Sequence, residues 1–212
     1  MSIASDARFW DRTARRYAKG AIADPAGYER TLDRTRALLL PDDHVLELGC
    51  GTGTTAFRLA ADVREYLATD FSAAMIAIAS ERYGADLVPN LAFRTATAEM
   101  LVAERVQYDA VLGFNYLHLV RDLSGTLDNI HALLASRGLF ISKTPCVGEM
   151  NPLIRLALLP AMRALGKAPY AATFGLIELS QEMTAAGFEI LDIENHATKG
   201  NDNRPYIVAR KR

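Results

Sequence analysis

The chain has 212 residues, half of them hydrophobic and 23% charged, with 24 basic side chains against 25 acidic ones. This composition excludes a disordered or low-complexity chain, and a net charge of −1 gives no global pull toward nucleic acid or an anionic membrane. The length suits one domain, 1–212, and the two distant cysteines, Cys50 and Cys146, have neither metal-ligand spacing nor the pattern of a disulfide framework. No signal-peptide pattern opens the chain and no run of about 18 apolar residues marks a membrane span. The expectation is a cytoplasmic, monomeric or homodimeric domain without a metal site.

Two helices are predicted in an N-terminal cap over 1–40. Ser5 or Asp6 is placed to cap the first, which carries Trp10, Ala14 and Tyr17 at helical spacing. The second runs from about Gly27 to Leu39, with Tyr28, Leu32, Thr35 and Leu39 on one face. After the turn Pro41-Asp42-Asp43, the apolar strand His44–Leu48 ends in glycines, and a helix follows from about Thr54. The second strand, Tyr66–Asp70, leads to Ser72 as the cap of a helix that ends near Gly84. Ala92–Thr95 is a third strand, and Ala110–Phe114, introduced by Tyr108-Asp109, a fourth. Leu123, Leu127, Ile130 and Leu134 mark a helix over 124–137 with Gly138 as its stop, and Leu139–Ser142 reads as strand five. The block 146–175 breaks the rhythm. Leu176, Leu179, Met183 and Ala186 then mark a helix closed by Gly187, before Phe188–Glu194 and Tyr206–Ala209 form an antiparallel ending around the polar loop 199–203. The alternation of strands and helices predicts an α/β fold with helices on both sheet faces.

The most informative stretch is Glu47-Leu48-Gly49-Cys50-Gly51-Thr52-Gly53-Thr54. Glycines after a strand permit a tight turn and close backbone approach to a ligand, and the next helix offers free N–H groups. The spacing is G-x-G-x-G, with Thr54 where a dinucleotide fingerprint wants its third glycine. Glu47 is an awkward neighbour for a pyrophosphate and suits a cationic ligand. Asp70 ends the second strand, where a carboxylate accepts from ribose hydroxyls. An adenosine with a cationic group and no phosphates describes S-adenosylmethionine.

These residues resemble motif I and the ribose-binding acid of the class I S-adenosylmethionine-dependent methyltransferases. The resemblance extends to Leu67–Met75, to Tyr108–His118, to Arg137–Ile141 and to Trp10-Asp11 with Ala14 and Tyr17. It covers about residues 8–145, and 176–210 in outline. It implies a Rossmann-like, seven-stranded, mostly parallel sheet with the last strand antiparallel. It also implies S-adenosylmethionine as cofactor, S-adenosylhomocysteine (SAH) as product and methyl transfer to a small molecule. Carried over residue by residue, it gives Gly49, Cys50, Gly51 and Gly53 to the methionine loop and Glu47 to orienting that loop or the amino group. Asp70 falls at the ribose, Met75 and Thr97 at the adenine, Phe114 contributes backbone, and Phe71 and Ala98 are further cofactor-binding candidates. Ala96-Thr97-Ala98 stands where the family often shows Gly-Asp-Ala, so Thr97 offers one hydroxyl in place of a carboxylate. Other readings stay open: a plain helix cap for Asp70, core packing for Met75 and a buried filler for Cys50.

Topology places an acceptor outside the carboxyl ends of the strands. That implicates Asn115, Tyr116 and His118 after strand four and Lys143, Thr144 and Cys146 after strand five, with Tyr17 closing over them. His118 is the base candidate, because an unperturbed histidine titrates near neutrality; a structural role is the alternative. In the apolar segment from Asn151-Pro152 to Gly166, Pro160 is expected to kink the helix or start a new one; the segment packs on the domain or on a second subunit, lines an apolar substrate pocket as a lid, or meets a membrane surface. A small, partly apolar acceptor is expected. The alternatives are a catalytically silent S-adenosylmethionine-binding protein and an NAD(P)-dependent oxidoreductase. A nucleic-acid substrate is not expected, because the sequence shows no basic stripe and reads Phe114-Asn115-Tyr116-Leu117 after strand four.

Overall fold

Alternating side chains build the sheet. In β1 (His44–Leu48), Val45 turns to one face while Leu46 and Leu48 turn to the other. A computed structural model describes residues 3–83, 87–164, 166, 168–200 and 203–212. The other strands are β2 (Glu65–Asp70), β3 (Leu91–Thr95), β4 (Tyr108–Phe114), β5 (Leu134–Lys143), β6 (Phe188–Glu194) and β7 (Tyr206–Lys211). They form a seven-stranded sheet in the order β3-β2-β1-β4-β5-β7-β6. Pairs among β1 to β5 are parallel, and β7 runs antiparallel to both β5 and β6. This is the Rossmann-like arrangement with one reversed strand that the resemblance implies. The order turns back between β1 and β4, which opens a crevice at the carboxyl ends of those strands.

Helices cover both faces. On one, Leu32 of α2 (Pro25–Arg36), Ala56 and Leu59 of α3 (Thr54–Leu59) and Ile76 of α4 (Ala73–Arg82) meet Val45, Ala68, Leu112, Ile141 and Val208. On the other, Leu101 of α5 (Ala98–Val102), Leu127 and Ile130 of α6 (Leu123–Leu133), and Leu179 and Met183 of α8 (Leu176–Ala185) meet Leu46, Val111, Phe140 and Ile207. The cap helix α1 (Ile3–Tyr17) lies against α4 at the open end of the sheet. The insertion carries α7 (Leu159–Ala164).

Several boundaries differ from expectation. Helix α1 begins at Ile3, so neither Ser5 nor Asp6 caps it, and Asp6 instead pairs with Arg121. Asp24, not a residue nearer Gly27, caps α2: its side chain accepts from the Gly27 N–H, and Pro25 takes the first helical position. Helix α5 has no counterpart in the sequence reading; Thr97 caps it by accepting from the Met100 N–H. Helix α6 stops at Leu133 and β5 starts at Leu134, so Gly138 is a strand residue and no helix stop. Leu134 pairs with Tyr108, after which the register jumps to Ala110 opposite Leu139 and Arg137 takes a positive φ of 63°. Leu134 is fully buried in either reading, so the apolar spacing alone does not separate helix from strand. A π-helical turn over Ile154–Leu158 runs directly into α7, whose second residue is Pro160, so the proline falls in the first turn of that helix. The wider turn accommodates the missing proline N–H. The expected helix end at Gly84 and the loop residues Asn201 and Asp202 lie outside the described residues.

Candidate active site

The turn after β1 is made of residues with left-handed backbone. Gly49 has φ +71°, Gly51 φ +55° and Gly53 φ +79°. A Cβ on Gly49 would come within 2.7 Å of the Tyr116 ring, so this position needs glycine for space as well as conformation. A Cβ on Gly53 would meet Phe93 at 2.8 Å and Ala79 at 3.0 Å. Gly53 therefore lets α3 pack against β3 and α4, and does not line the cleft. Gly49 and Gly51 do line it.

Asp70 is the acid at the end of β2. One oxygen accepts from the Gly51 N–H (3.0 Å) and the other from the Ser72 N–H (2.8 Å). The carboxylate thus braces the glycine turn and still opens on the cleft. Burial raises its pKa, and the two backbone bonds act in the opposite direction. Ser72, not Asp70, caps α4: its hydroxyl accepts from the Met75 N–H at 3.2 Å.

The cleft has a volume of about 520 Å³. Of the sequence-predicted residues, Tyr17, Gly49, Gly51, Asp70, Phe71, Met75, Thr97, Ala98, Phe114, Asn115, Tyr116 and His118 line it together. Glu47, Cys50, Gly53 and Cys146 do not. Glu47 points from β1 into the opposite face, 2% exposed, where it accepts from the Tyr66 hydroxyl at 2.9 Å. Burial raises its pKa from 4.5 to about 7. Cys50 packs in the core beside Ala56 and Ala68, and Cys146 is fully buried near Leu117 and Phe174, its thiol pushed up to about 12 by burial. No described residue of the insertion lines the cleft; Pro145 is the last residue before it that does.

At the far end of the cleft, Asn115 holds a φ of 52° and donates its N–H to the Lys143 carbonyl at 2.7 Å, turning the chain after β4. This sends Tyr116 under the glycine turn and His118 toward Thr144, whose hydroxyl lies 3.0 Å from Nδ1. Burial, and then the Arg204 guanidinium, lower the His118 pKa from 6.5 to about 4. The ring is neutral at physiological pH and is a weak base.

Helix α1 roofs the cleft with Trp10 and Tyr17, whose rings meet edge to face at 6.0 Å. Two contacts hold the helix there. Asp11 accepts from the Ser72 hydroxyl (2.6 Å) and the Ala74 N–H (3.3 Å). Asp6 takes a bidentate bond from Arg121 (2.7 and 3.0 Å). The sequence reading gave no site role to Asp6, Trp10, Arg121, Asn129 or Arg204, which also line the cleft. The helical spacing Asp6, Trp10, Tyr17 was the available signal for α1; nothing local marks Arg204, which arrives from the loop before β7.

Residues 46–140 match the family model described as "Methyltransferase domain". Over this stretch, a little under half of its length, the chain is similar to methyltransferase domains. Within this methyltransferase fold the matched stretch runs from β1 through β5 and contains the glycine turn, Asp70 and the β4 loop. The hybrid PKS-NRPS synthetase mpsA of Macrophomina phaseolina is 33% identical over 181 residues, 79% of this chain. The chain spans only about 4% of that relative's length. The structure titled DhpI–SAH complex superposes with a TM-score of 0.73 at 21% identity, covering 99% of this chain and 96% of the other. Magnesium protoporphyrin IX methyltransferase of Synechocystis PCC 6803, with bound SAH, gives a TM-score of 0.71 at 18% identity, covering 98% and 95%.

Proposed function

We propose that this chain transfers a methyl group from S-adenosylmethionine to a small, partly apolar acceptor. The observation that carries the reading is one continuous cleft. It runs from the glycine turn, with Asp70 and the Tyr116 ring beside Gly49, under Trp10 to His118. The residues fit the cofactor's chemistry: an acceptor-only carboxylate for ribose hydroxyls, bare glycine backbone for the methionine portion, and the apolar Phe71, Met75 and Ala98 for the adenine. When bound, S-adenosylmethionine supplies a methyl group on an already activated leaving group.

The chain's own work is then placement. Asp70 fixes the ribose and, through Gly51, the turn that abuts it. Trp10, Tyr17 and Tyr116 hold water away from the reacting end. Neutral His118, steadied by Thr144, orients the acceptor and is not required to take its proton. Likeness to part of a polyketide and peptide synthetase supports an apolar, acyl-type acceptor.

Isothermal titration with S-adenosylmethionine, SAH, NAD and NADP tests the ligand. Amine, thiol, phenol, carboxylate and activated-carbon acceptors are then screened for release of SAH. Tight NAD binding with no response to S-adenosylmethionine refutes the reading. A second reading, a catalytically silent binder, is favoured by Thr97, because its hydroxyl already caps α5 where relatives place an acid. Tight cofactor binding with no SAH released from any acceptor class supports it.

A further inference from the structure

The sequence suggests no basic stripe, yet the fold makes one. Arg8, Arg12, Arg15 and Arg16 of α1 fall at i, i+4, i+7 and i+8, which is a single face at helical periodicity, and Lys19 follows just past the helix end at Tyr17. All five are exposed, and no carboxylate partner is found for them among the described residues. Of the two acids of the helix, Asp6 is turned the other way and pairs with Arg121 at the cleft, while Asp11, three residues after Arg8 and four before Arg15, borders the stripe and accepts from Ser72 and Ala74. The stripe therefore points outward while Trp10 and Tyr17 point inward.

Beside it stands an exposed apolar helix. Leu153 is 75% exposed, Leu156 68% and Leu158 51%, and Ala157, Pro160 and Ala161 are exposed as well. A groove lined by Phe9, Arg12, Thr13 and Arg16 from α1 and by Met162 and Gly166 from the insertion joins the two helices. One surface thus combines a projecting apolar helix and five exposed cations, on a chain whose net charge is only −1.

We infer that this surface seats the protein on an anionic lipid membrane. Charge complementarity selects an anionic partner. The apolar part selects among anionic partners. A nucleic acid satisfies the arginines and leaves Leu153, Leu156 and Leu158 in water. A rigid protein surface covers one side of a projecting helix, whereas an acyl layer closes around it. The paired signals, an apolar helix and a basic patch, are what reversible interfacial binding requires. The reversed face of the same helix α1 roofs the cleft, so the docked surface lies next to the entrance.

The test uses the full chain and vesicle co-sedimentation, which does not depend on methyl transfer. Vesicles of phosphatidylcholine with about 30% phosphatidylglycerol pull the protein down at low salt; pure phosphatidylcholine does not, and about 0.5 M NaCl releases it. The double variant R12Q/R16Q lowers the partition coefficient about thirty-fold, a factor of about five per surface cation. L153N/L156N lowers it by at least about tenfold, with circular dichroism and S-adenosylmethionine affinity unchanged because both side chains are exposed and lie outside the cleft. Sedimentation that ignores phosphatidylglycerol, or that survives both double variants, overturns the inference. So does a dimer by light scattering that L153N/L156N dissolves without any vesicle binding, or an oligonucleotide that binds the stripe while vesicles do not.

Discussion

Replacing Glu47 by glutamine isolates the cost of an ionised carboxylate buried behind the glycine turn. Glu47 has one hydrogen bond, from the neutral Tyr66 hydroxyl, and a second buried acid, Asp70, adds repulsion. Its pKa rises from 4.5 to about 7, chiefly through burial. The folded state thus holds this proton more tightly than the unfolded chain. Stability from this group is fully present below pH 4.5 and drains away as pH climbs through about 7. At about 1.4 kcal/mol per pKa unit the whole window is worth roughly 3 kcal/mol. E47Q removes the titration and keeps an acceptor for Tyr66, while its new amide N–H groups add a pH-independent penalty. The informative quantity is therefore the slope. Urea unfolding of both proteins in the absence of ligand, at intervals from about pH 5 to 8.5, yields the difference in unfolding free energy. E47Q gains on the parent by roughly 2–3 kcal/mol across that range. Parallel curves refute the reasoning.

Asp70→Asn keeps an acceptor for the Ser72 N–H and removes the charge; S-adenosylmethionine affinity falls by about 1–3 kcal/mol, read by titration calorimetry. Unchanged affinity refutes the ribose assignment. Ser72→Ala deletes the α4 cap together with the Asp11 anchor and costs about 1–2 kcal/mol in urea unfolding. A cost below about 0.3 kcal/mol shows that neither bond matters. With His118 titrating at about 4, kcat/KM shows no histidine break near pH 6.5. A break there that H118N abolishes shows that His118 works as a base after all.

The sheet was legible because each strand presents a short apolar run bounded by turn residues, and the glycine turn with Asp70 carries its chemistry in local sequence. What escaped the sequence depends on partners far along the chain. Glu47 sits two residues before Gly49, but strand alternation turns its side chain toward Tyr66, a direction set by which face Val45 shares with it. Helix α5 is five residues long, too short for periodicity to register. Leu134 continues an apolar rhythm that helix α6 has already abandoned. Cys146 follows β5 at the expected end of the sheet and then turns into the core, its N–H bonded to the Asn203 carbonyl at 2.8 Å. The basic stripe is hidden in composition because acids elsewhere cancel it in the total.

The two-point fastening of the cap has a kinetic meaning. A ligand that enters under Trp10 and Tyr17 competes for time with the Asp6–Arg121 and Asp11–Ser72 bonds, because the helix that admits it is the helix those bonds close. Asp11–Ser72 ties the roof to the residue that also caps α4, beside Asp70. Filling the ribose end and shutting the roof are therefore steps of one cooperative unit. Ligand on- and off-rates are then the quantities that change when either bond is removed.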